Sequence, residues 1–533
     1  MEGRVSKITS AGYIDRASSN LRSFFISGGF YKSKSSLRLI AFSGKEKTYQ
    51  AWYGVPQDSL KTNRTYNPAG EFYDPQGNVQ YYPNQTDNYR QDYYQLIFSH
   101  WFNNTFSFNA ALHYTKGKGY YEEYKSGTSY AEYGLSPLSV ADTAIHTTNL
   151  TRQLWLTNDF YGLTWSVKYE RDNLNLIVGG SANQYAGKHF GEVVKTDLSI
   201  FQILPHSFYS DDANKTDLNV YVRANYSFSG TLKFFADLQE RIISYKFTGF
   251  DAVYNNSIEK ESNYFFNPKA GISITPMEKI ILYTSIGVGQ KEPVRDDYVY
   301  STPSKRPEKE KMIDFESGLR FTSEKLLLNF NTYYMDYSSQ LILNGKINEV
   351  GEYIRESVKD SYRSGVEIEG MWTISTSINF KMNLTLSDNK ISVYREYIDN
   401  YDDGSQLMNV YKETNIAFSP QVIGSASAGF IPIKNFNFEI SGKYIGKQFL
   451  DNTSNESRKL DAYLINDLHC SYKLPVKKIR EIVFRLSVYN FLDKEYISNG
   501  YSYSGYSGGQ RSDYNFYFPQ AGINWLAGIT IGI

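Results

Sequence analysis

A chain of 533 residues with 56 basic and 56 acidic side chains carries no net field toward nucleic acid or an anionic surface. Its single cysteine, Cys470, excludes an intramolecular disulfide and a cysteine-built metal site. Aromatic residues reach 16%, led by 48 Tyr and 33 Phe, while no stretch supplies the roughly 18 apolar residues of a spanning helix. Tyr and Trp suit places where one end of the side chain is apolar and the other wet, as at membrane interfaces and in binding loops. If this chain meets a membrane, it does so with strands. No composition shift marks a domain boundary, so it reads as one architecture.

The opening, MEGRVSKITSAGYIDR, lacks the basic region, apolar run and small-residue cleavage site of a signal peptide. YKSK (Tyr31 to Lys34) is a tight turn, and the polar stretch from Lys45 to Asn88 a long loop. FNNT (Phe102 to Thr105) turns into the alternating segment TFSFNAALHY, after which Gly117 to Thr148 and Ala186 to Asn214 read as loops. PMEK (Pro276 to Lys279) turns into KIILYTSIGV, Gln290 to Lys311 is a loop, and TSEK (Thr322 to Lys325) turns into KLLLNFNTYY.

From Ile378, INFKMNLTL puts Ile378, Phe380, Met382, Leu384 and Leu386 on one face and Asn379, Lys381, Asn383 and Thr385 on the other, a strict period of two. A loop from Ile391 to Glu413 and the turn PIKN (Pro432 to Asn435) follow. In NFNFEISGKY, Phe436, Phe438, Ile440 and Tyr444 oppose Asn437, Glu439, Ser441 and Lys443. EIVFRLSVY repeats the pattern from Glu481, and Lys494 to Pro519 is the last loop. The terminal segment sets Ile523, Trp525, Ala527, Ile529, Ile531 and Ile533 against Asn524, Leu526, Gly528, Thr530 and Gly532.

Segments of about 9 to 11 residues that alternate in this way can cross a bilayer as tilted strands. Tight turns on one side and long polar loops on the other are the pattern of an outer-membrane barrel. The expected fold is therefore all-β, a transmembrane antiparallel β-barrel of about twenty strands with short periplasmic turns and long extracellular loops. A soluble all-β binding protein is the alternative; propellers and sandwiches have regular spacing, short loops at both ends and more uniformly apolar inward faces.

No catalytic constellation is visible, and the six histidines lie far apart with no pair at ligand spacing. An enzyme is not expected, nor a cofactor or resident metal. The acidic pairs Asp211–Asp212, Asp296–Asp297 and Asp402–Asp403 can in principle supply oxygens to Ca²⁺ but equally suit solvated loops. His189 and His206 are in reach of a haem iron on the same terms. Three loop segments interleave rings with charge, YQAWYG, YYPNQTDNY and KEPVRDDYVY. Flat rings beside charges can hold a chelate or polar metabolite. The candidate ligand-binding residues are Trp52, Tyr53, Tyr81, Tyr82, Arg295, Asp297 and Tyr298.

RPEKEKMIDFESGLRF (Arg306 to Phe321), YRSGVEIEG (Tyr362 to Gly370), VYNFLDKEYISNG (Val488 to Gly500) and the closing FPQAGINWLAGITIGI stand in one order along the chain. Together they resemble segments of TonB-dependent outer-membrane receptor barrels. SKITSAGYIDRASSNLRSF and GKEKTYQAWYGVP are similar to receptors of this class from Bacteroidota. The resemblance implies a 22-strand barrel preceded by a signal peptide, a TonB box and a plug. MEGRVSKI resembles the third strand, so residues 1–533 are expected to be a barrel portion without the plug and first two strands. It further implies a Gram-negative outer membrane and uptake of a scarce extracellular ligand, by default an iron chelate such as a siderophore, with corrinoid, haem or oligosaccharide behind it. The expected partners are outer-membrane lipids, that ligand, and the TonB complex through the preceding region; nucleic acid is not one. A passive porin-like channel or a non-functional gene fragment is the alternative.

Overall fold

The computed structural model describes residues 1–140, 143–197, 203–248, 258–301, 306–348, 350–476 and 480–532. Ile533 and residues 141–142, 198–202 and 302–305, read above as part of a closing strand and of three loops, lie outside them. Strands dominate the described residues, and 25 of them hydrogen-bond into one sheet. Helix is limited to one turn, Arg295–Val299, and two 3-10 turns among the described residues. The chain groups into two compact units, one made of Met1–Tyr53, Thr65–Ala224 and Asp237–Phe266, the other of Gly54–Arg64, Asn225–Ala236 and Asn267–Ile533.

In the first unit seven long strands pair antiparallel, each with the next: Glu2–Ser10, Ser19–Lys32, Ser35–Tyr49, Thr86–Trp101, Phe106–Ser129, Thr147–Arg171 and Leu174–Thr196. Their register aligns the alternation. Leu39, Leu96, Leu112 and Leu163 stand opposite one another across four strands, and all four are exposed. One residue along, the other face carries Gln95, His113 and Asn183, with His113 Nε2 3.0 Å from Asn183 Oδ1. A contiguous exposed leucine row is costly in water and suits hydrocarbon.

Two aromatic rows bound this apolar band. Tyr94, Tyr114 and Tyr161 align at one end, and Phe106 lies opposite Tyr169 at the other, their rings 4.9 Å apart. Phe106 to Tyr114 is eight residues, as is Tyr161 to Tyr169, so at ~3.3 Å per residue the rows stand about 26 Å apart along the strands. That matches the roughly 25 Å apolar band, with its interfacial rings, of outer-membrane strands.

In the second unit ten long strands pair in succession: Ile280–Lys291, Glu310–Thr322, Leu326–Ile347, Ser361–Ser375, Ile378–Asn400, Val422–Phe430, Phe436–Ile445, Tyr463–Leu474, Glu481–Tyr489 and Asn524–Gly532. His206–Ser227, Leu232–Thr248 and Ile258–Met277 stand between the two sets in the chain, making twenty long strands.

The five tight turns fall where the sequence puts them. Lys32 pairs with Ser35 and Met277 with Ile280 across two-residue turns. The loops are different. Phe106–Ser129 runs 24 residues and Thr147–Arg171 25, so strand continues well past Gly117 and begins before Thr148. The expected loop from Ile391 to Glu413 is a hairpin of Ile378–Asn400 with Gln406–Asn415. Lys494 to Pro519 contains another, Ile497–Ser507 with Gln510–Pro519. Beyond the apolar band no hydrocarbon demands an apolar face, and buried positions there include Glu122, Glu123 and Glu396, so the alternation disappears from the sequence while backbone pairing continues.

Candidate functional site

The expected aromatic loop residues of the first unit gather where the segment after Tyr49 folds back on the long strands. Trp52 meets Tyr121 edge-on, ring centres 5.1 Å apart. The Arg16 guanidinium lies 3.5 Å from the centre of the Tyr81 ring. The Tyr82 hydroxyl donates to Glu122 Oε1 at 2.7 Å, and Gln153 donates to Oε2 of the same carboxylate at 2.7 Å. Burial, and then this bond, push the Tyr82 hydroxyl up to about 12. Below them Asn67, fully buried, donates to the carbonyls of Asp15 and Gln50 at 2.9 Å. Tyr53 is half-buried beside them in sequence. The arrangement is a pinned loop whose rings and charges hold one another.

In the second unit the extramembrane hairpins surround a polar cavity of about 220 Å³. Each wall comes from a different stretch of chain. The end of Leu326–Ile347 contributes Asn344 and Lys346, and its hairpin partner Tyr353–Val358 contributes Arg355 and Glu356. Gly345 lies between them at φ +87°, where a Cβ would come within 2.8 Å of Asp451 Cβ, so glycine alone fits this turn. Ile378–Asn400 adds Tyr394 and Glu396. The segment from Asp451 to Arg458 and the hairpin strand Ile497–Ser507 close the rest.

An ionic network ties these walls together. Arg458, its side chain 3% exposed, donates from Nη1 to Glu396 Oε1 at 2.9 Å and also to Asp451. Arg511 reaches Glu396 at 2.9 Å and Asp513 at 2.9 Å. The Tyr411 hydroxyl donates to Glu396 at 2.8 Å and the Tyr394 hydroxyl to Glu356 at 2.8 Å. Burial pushes the Asp451 carboxyl up while Arg458 pulls it down. Beneath lies an apolar cluster of Ile342, Val358, Ile391, Tyr394 and Ile416.

Of the expected residues here, Arg295, Asp297 and Tyr298 share the single helical turn. Asp297 caps it by accepting from the Val294 amide at 2.7 Å, pairs with Arg355, and lines the cavity. Tyr298 is buried, and Arg295 has Asp296 at 3.6 Å. Trp52, Tyr53, Tyr81 and Tyr82 belong to the other unit. The sequence reading missed Arg458, Glu396 and Arg511, charges drawn from three distant segments with no shared motif. Among the acidic pairs, Asp402 accepts the amides of Gly508 and Gly509 at 2.7 and 2.8 Å, and Asp403 accepts from Ser405, serving turn geometry. His206 Nε2 lies 2.8 Å from the Tyr133 carbonyl.

Paired strands with an exposed apolar band, aromatic borders, tight turns at one end and polar hairpins at the other define a β-type membrane protein of the outer-membrane kind. A family model, "TonB dependent receptor-like, beta-barrel", matches residues 29–491. The chain belongs to that family, whose barrels sit in the outer membrane.

Solved structures share the fold. The ferric-catecholate import receptor Fiu of E. coli K12 matches with TM-score 0.68 at 13% identity, over 100% of this chain and 77% of that one. The siderophore receptor PiuA from Acinetobacter baumannii matches with TM-score 0.69 at 14%, over 99% and 77%. The copper transporter OprC matches with TM-score 0.71 at 11%, over 100% and 78%. These relatives are transport proteins, not enzymes. No curated protein matches by sequence.

Proposed function

We propose that this chain is the membrane-spanning part of an uptake receptor that captures a scarce ligand outside the cell, an iron chelate such as a siderophore, and releases it inward in a TonB-dependent step. The observation that carries the reading is the asymmetry of the strands. They end in turns of about two to six residues on one side and run far past the apolar band on the other, into hairpins that enclose a charged cavity. A passive pore needs a lumen but no such extramembrane cavity. Ligand contact by Trp52, Tyr53, Tyr81 and Tyr82, and by Arg295, Asp297 and Tyr298, is part of the proposal, as is a Bacteroidota source.

The test is uptake of radioactive iron by cells carrying or lacking the gene, offered ferric citrate and ferric catecholate separately, with and without TonB. Uptake that needs both gene and TonB supports the reading. Gene-dependent uptake indifferent to TonB marks a passive channel, and iron uptake unchanged by gene loss overturns the iron assignment.

A further inference from the structure

The chain's charges balance overall, yet one row of the first unit is cationic from end to end. Six residues from the leucine row toward the hairpins, on the same outward face, Lys45, Arg90 and Lys118 stand opposite one another. Register extends the row through Arg22 to Lys7 on one side and through Thr157 to Lys188 on the other. Six of its seven positions are cations, and all six are exposed. Like charges directly opposite across strands repel, so the row needs anions from somewhere.

The neighbouring rows do not supply them. Toward the membrane, Asp92, Lys116 and Asp159 alternate in sign. Asp92 is engaged by Arg90 at 3.1 Å, while Asp159 accepts the Tyr114 hydroxyl at 2.6 Å and has Lys116 at 4.0 Å. On the far side stand Asn20, Lys47, Asn88, Tyr120, Trp155 and Phe190, without an acid. Among the described residues Lys7, Arg22 and Lys45 have no ion-pair or hydrogen-bond partner, and Lys118 and Lys188 meet only the rings of Trp155 and Phe190, at 5.3 and 5.9 Å.

The row lies four residues beyond Tyr94 and Tyr114. That is ~13 Å along the strand, or roughly 10 Å along the bilayer normal for a strand tilted by about 40°. Headgroups extend about 5 to 8 Å beyond the hydrocarbon, so long cationic side chains leaning toward the membrane meet them. Seven strands at ~4.8 Å make the row about 29 Å wide, enough to face several phosphates at once.

We infer that this outward row is a docking strip for a phosphorylated lipid of the hairpin-side leaflet, one whose headgroup carries more than one phosphate. Guanidinium and ammonium groups give charge-assisted bonds to phosphate oxygens. Once the first phosphate is held, the second binds as an intramolecular event, which favours such a lipid over one with a single phosphate. The inference needs only the outer-membrane setting of the family and is independent of the uptake reading.

The experiment is native mass spectrometry of the full chain, released from detergent micelles after incubation with diphosphorylated lipid A, phosphatidylglycerol or phosphatidylcholine. Retention of lipid A at least tenfold above phosphatidylglycerol, with phosphatidylcholine lower still, is expected. An Arg22→Gln, Lys45→Gln, Lys118→Gln variant should lose that preference, and Arg22→Lys, Lys45→Arg, Lys118→Arg should keep it. Lys61→Gln, Lys412→Gln, which removes exposed charges outside the row, should bind as the natural chain does. Because the replaced side chains hold no polar partner, every variant should keep the heat-shifted gel band of the folded chain. Retention of lipid A no greater than that of phosphatidylglycerol, retention untouched in the glutamine variant, or displacement of lipid A by an equal concentration of inorganic phosphate overturns the assignment.

Discussion

Arg355 grips Asp297 with two parallel bonds, Nε to Oδ1 at 2.9 Å and Nη2 to Oδ2 at 3.0 Å, and the aspartate side chain is 3% exposed. The same carboxylate caps the helical turn 295–299 through the Val294 amide, so one ion pair anchors that turn to the hairpin strand Tyr353–Val358. Arg355→Gln leaves a buried carboxylate without its cation and is expected to cost about 3 kcal/mol locally. Arg355→Lys keeps the charge but loses the fork, and should cost less. Protease cleavage between residues 292 and 309 on intact cells would rise in the order natural, Lys, Gln. Equal cleavage in all three would show that the pair does not anchor the turn.

The leucine row makes a prediction about the membrane. Leu112→Arg places a guanidinium in the apolar band two residues inside the Tyr114 row, between interface and midplane, and is expected to cost roughly 1 to 3 kcal/mol. Asn109→Arg, on the opposite and wet face of the same strand, should cost little. The folded fraction recovered on dilution from urea into lipid vesicles measures both. Equal yields would mean that the faces are assigned the wrong way round.

Orientation can be read with single cysteines after replacing Cys470 with Ser. Gln76→Cys and Gly404→Cys lie in exposed turns at the hairpin end, and should react with an impermeant maleimide on intact cells. Lys325→Cys and Lys434→Cys, at the tight-turn end, should react only after lysis. Gly70 is a poor probe site, because it is buried at φ +73° and a Cβ would come 2.8 Å from the Tyr49 hydroxyl. Labelling of Lys325→Cys on intact cells would invert the topology.

Tyr82 supplies a pH dependence. Its hydroxyl is raised above the usual tyrosine value of about 10 to about 12, by burial and by its bond to Glu122. Stabilisation by this group is therefore complete below about pH 10 and is lost as pH rises through about 12. Tyr82→Phe should weaken the loop of residues 50–85 by roughly 1 kcal/mol at pH 8, less than a fully buried bond to a charged acceptor because the ring is partly exposed. Proteolysis of that loop across pH 8 to 12 should show the natural chain better protected at pH 8, with the difference fading toward pH 12. A difference constant across that range would assign the effect to packing instead.

The membrane part of the fold was legible because hydrocarbon imposes a period of two. INFKMNLTL and NFNFEISGKY each declare a face, and the tight turns between strands are punctuated by polar pairs and proline. Outside the hydrocarbon that constraint lapses. Gly119 to Ser129 and Val393 to Asn400 are strands whose buried positions include charged residues, Glu122, Glu123 and Glu396, and they read as loop. The candidate rings were found from composition, but their roles were not legible. Whether Tyr82 or Asp297 is free depends on Glu122 and Arg355, 40 and 58 residues away. The network of Arg458 with Glu396 joins residues 62 apart by a register that no local motif announces.

The length of the strand Ile378–Asn400 separates two kinds of chemistry. Leu386 is exposed on the apolar band, and Tyr394, eight residues on, already lines the cavity. At ~3.3 Å per residue the separation is about 26 Å along the strand, roughly three times the ~8–10 Å over which physiological salt screens a charge. Arg458, Glu396 and Arg511 are thus electrically remote from the bilayer, and substituting them leaves the energetics of insertion alone. The tips of the hairpins can therefore change in sequence while the strands below keep assembling unchanged.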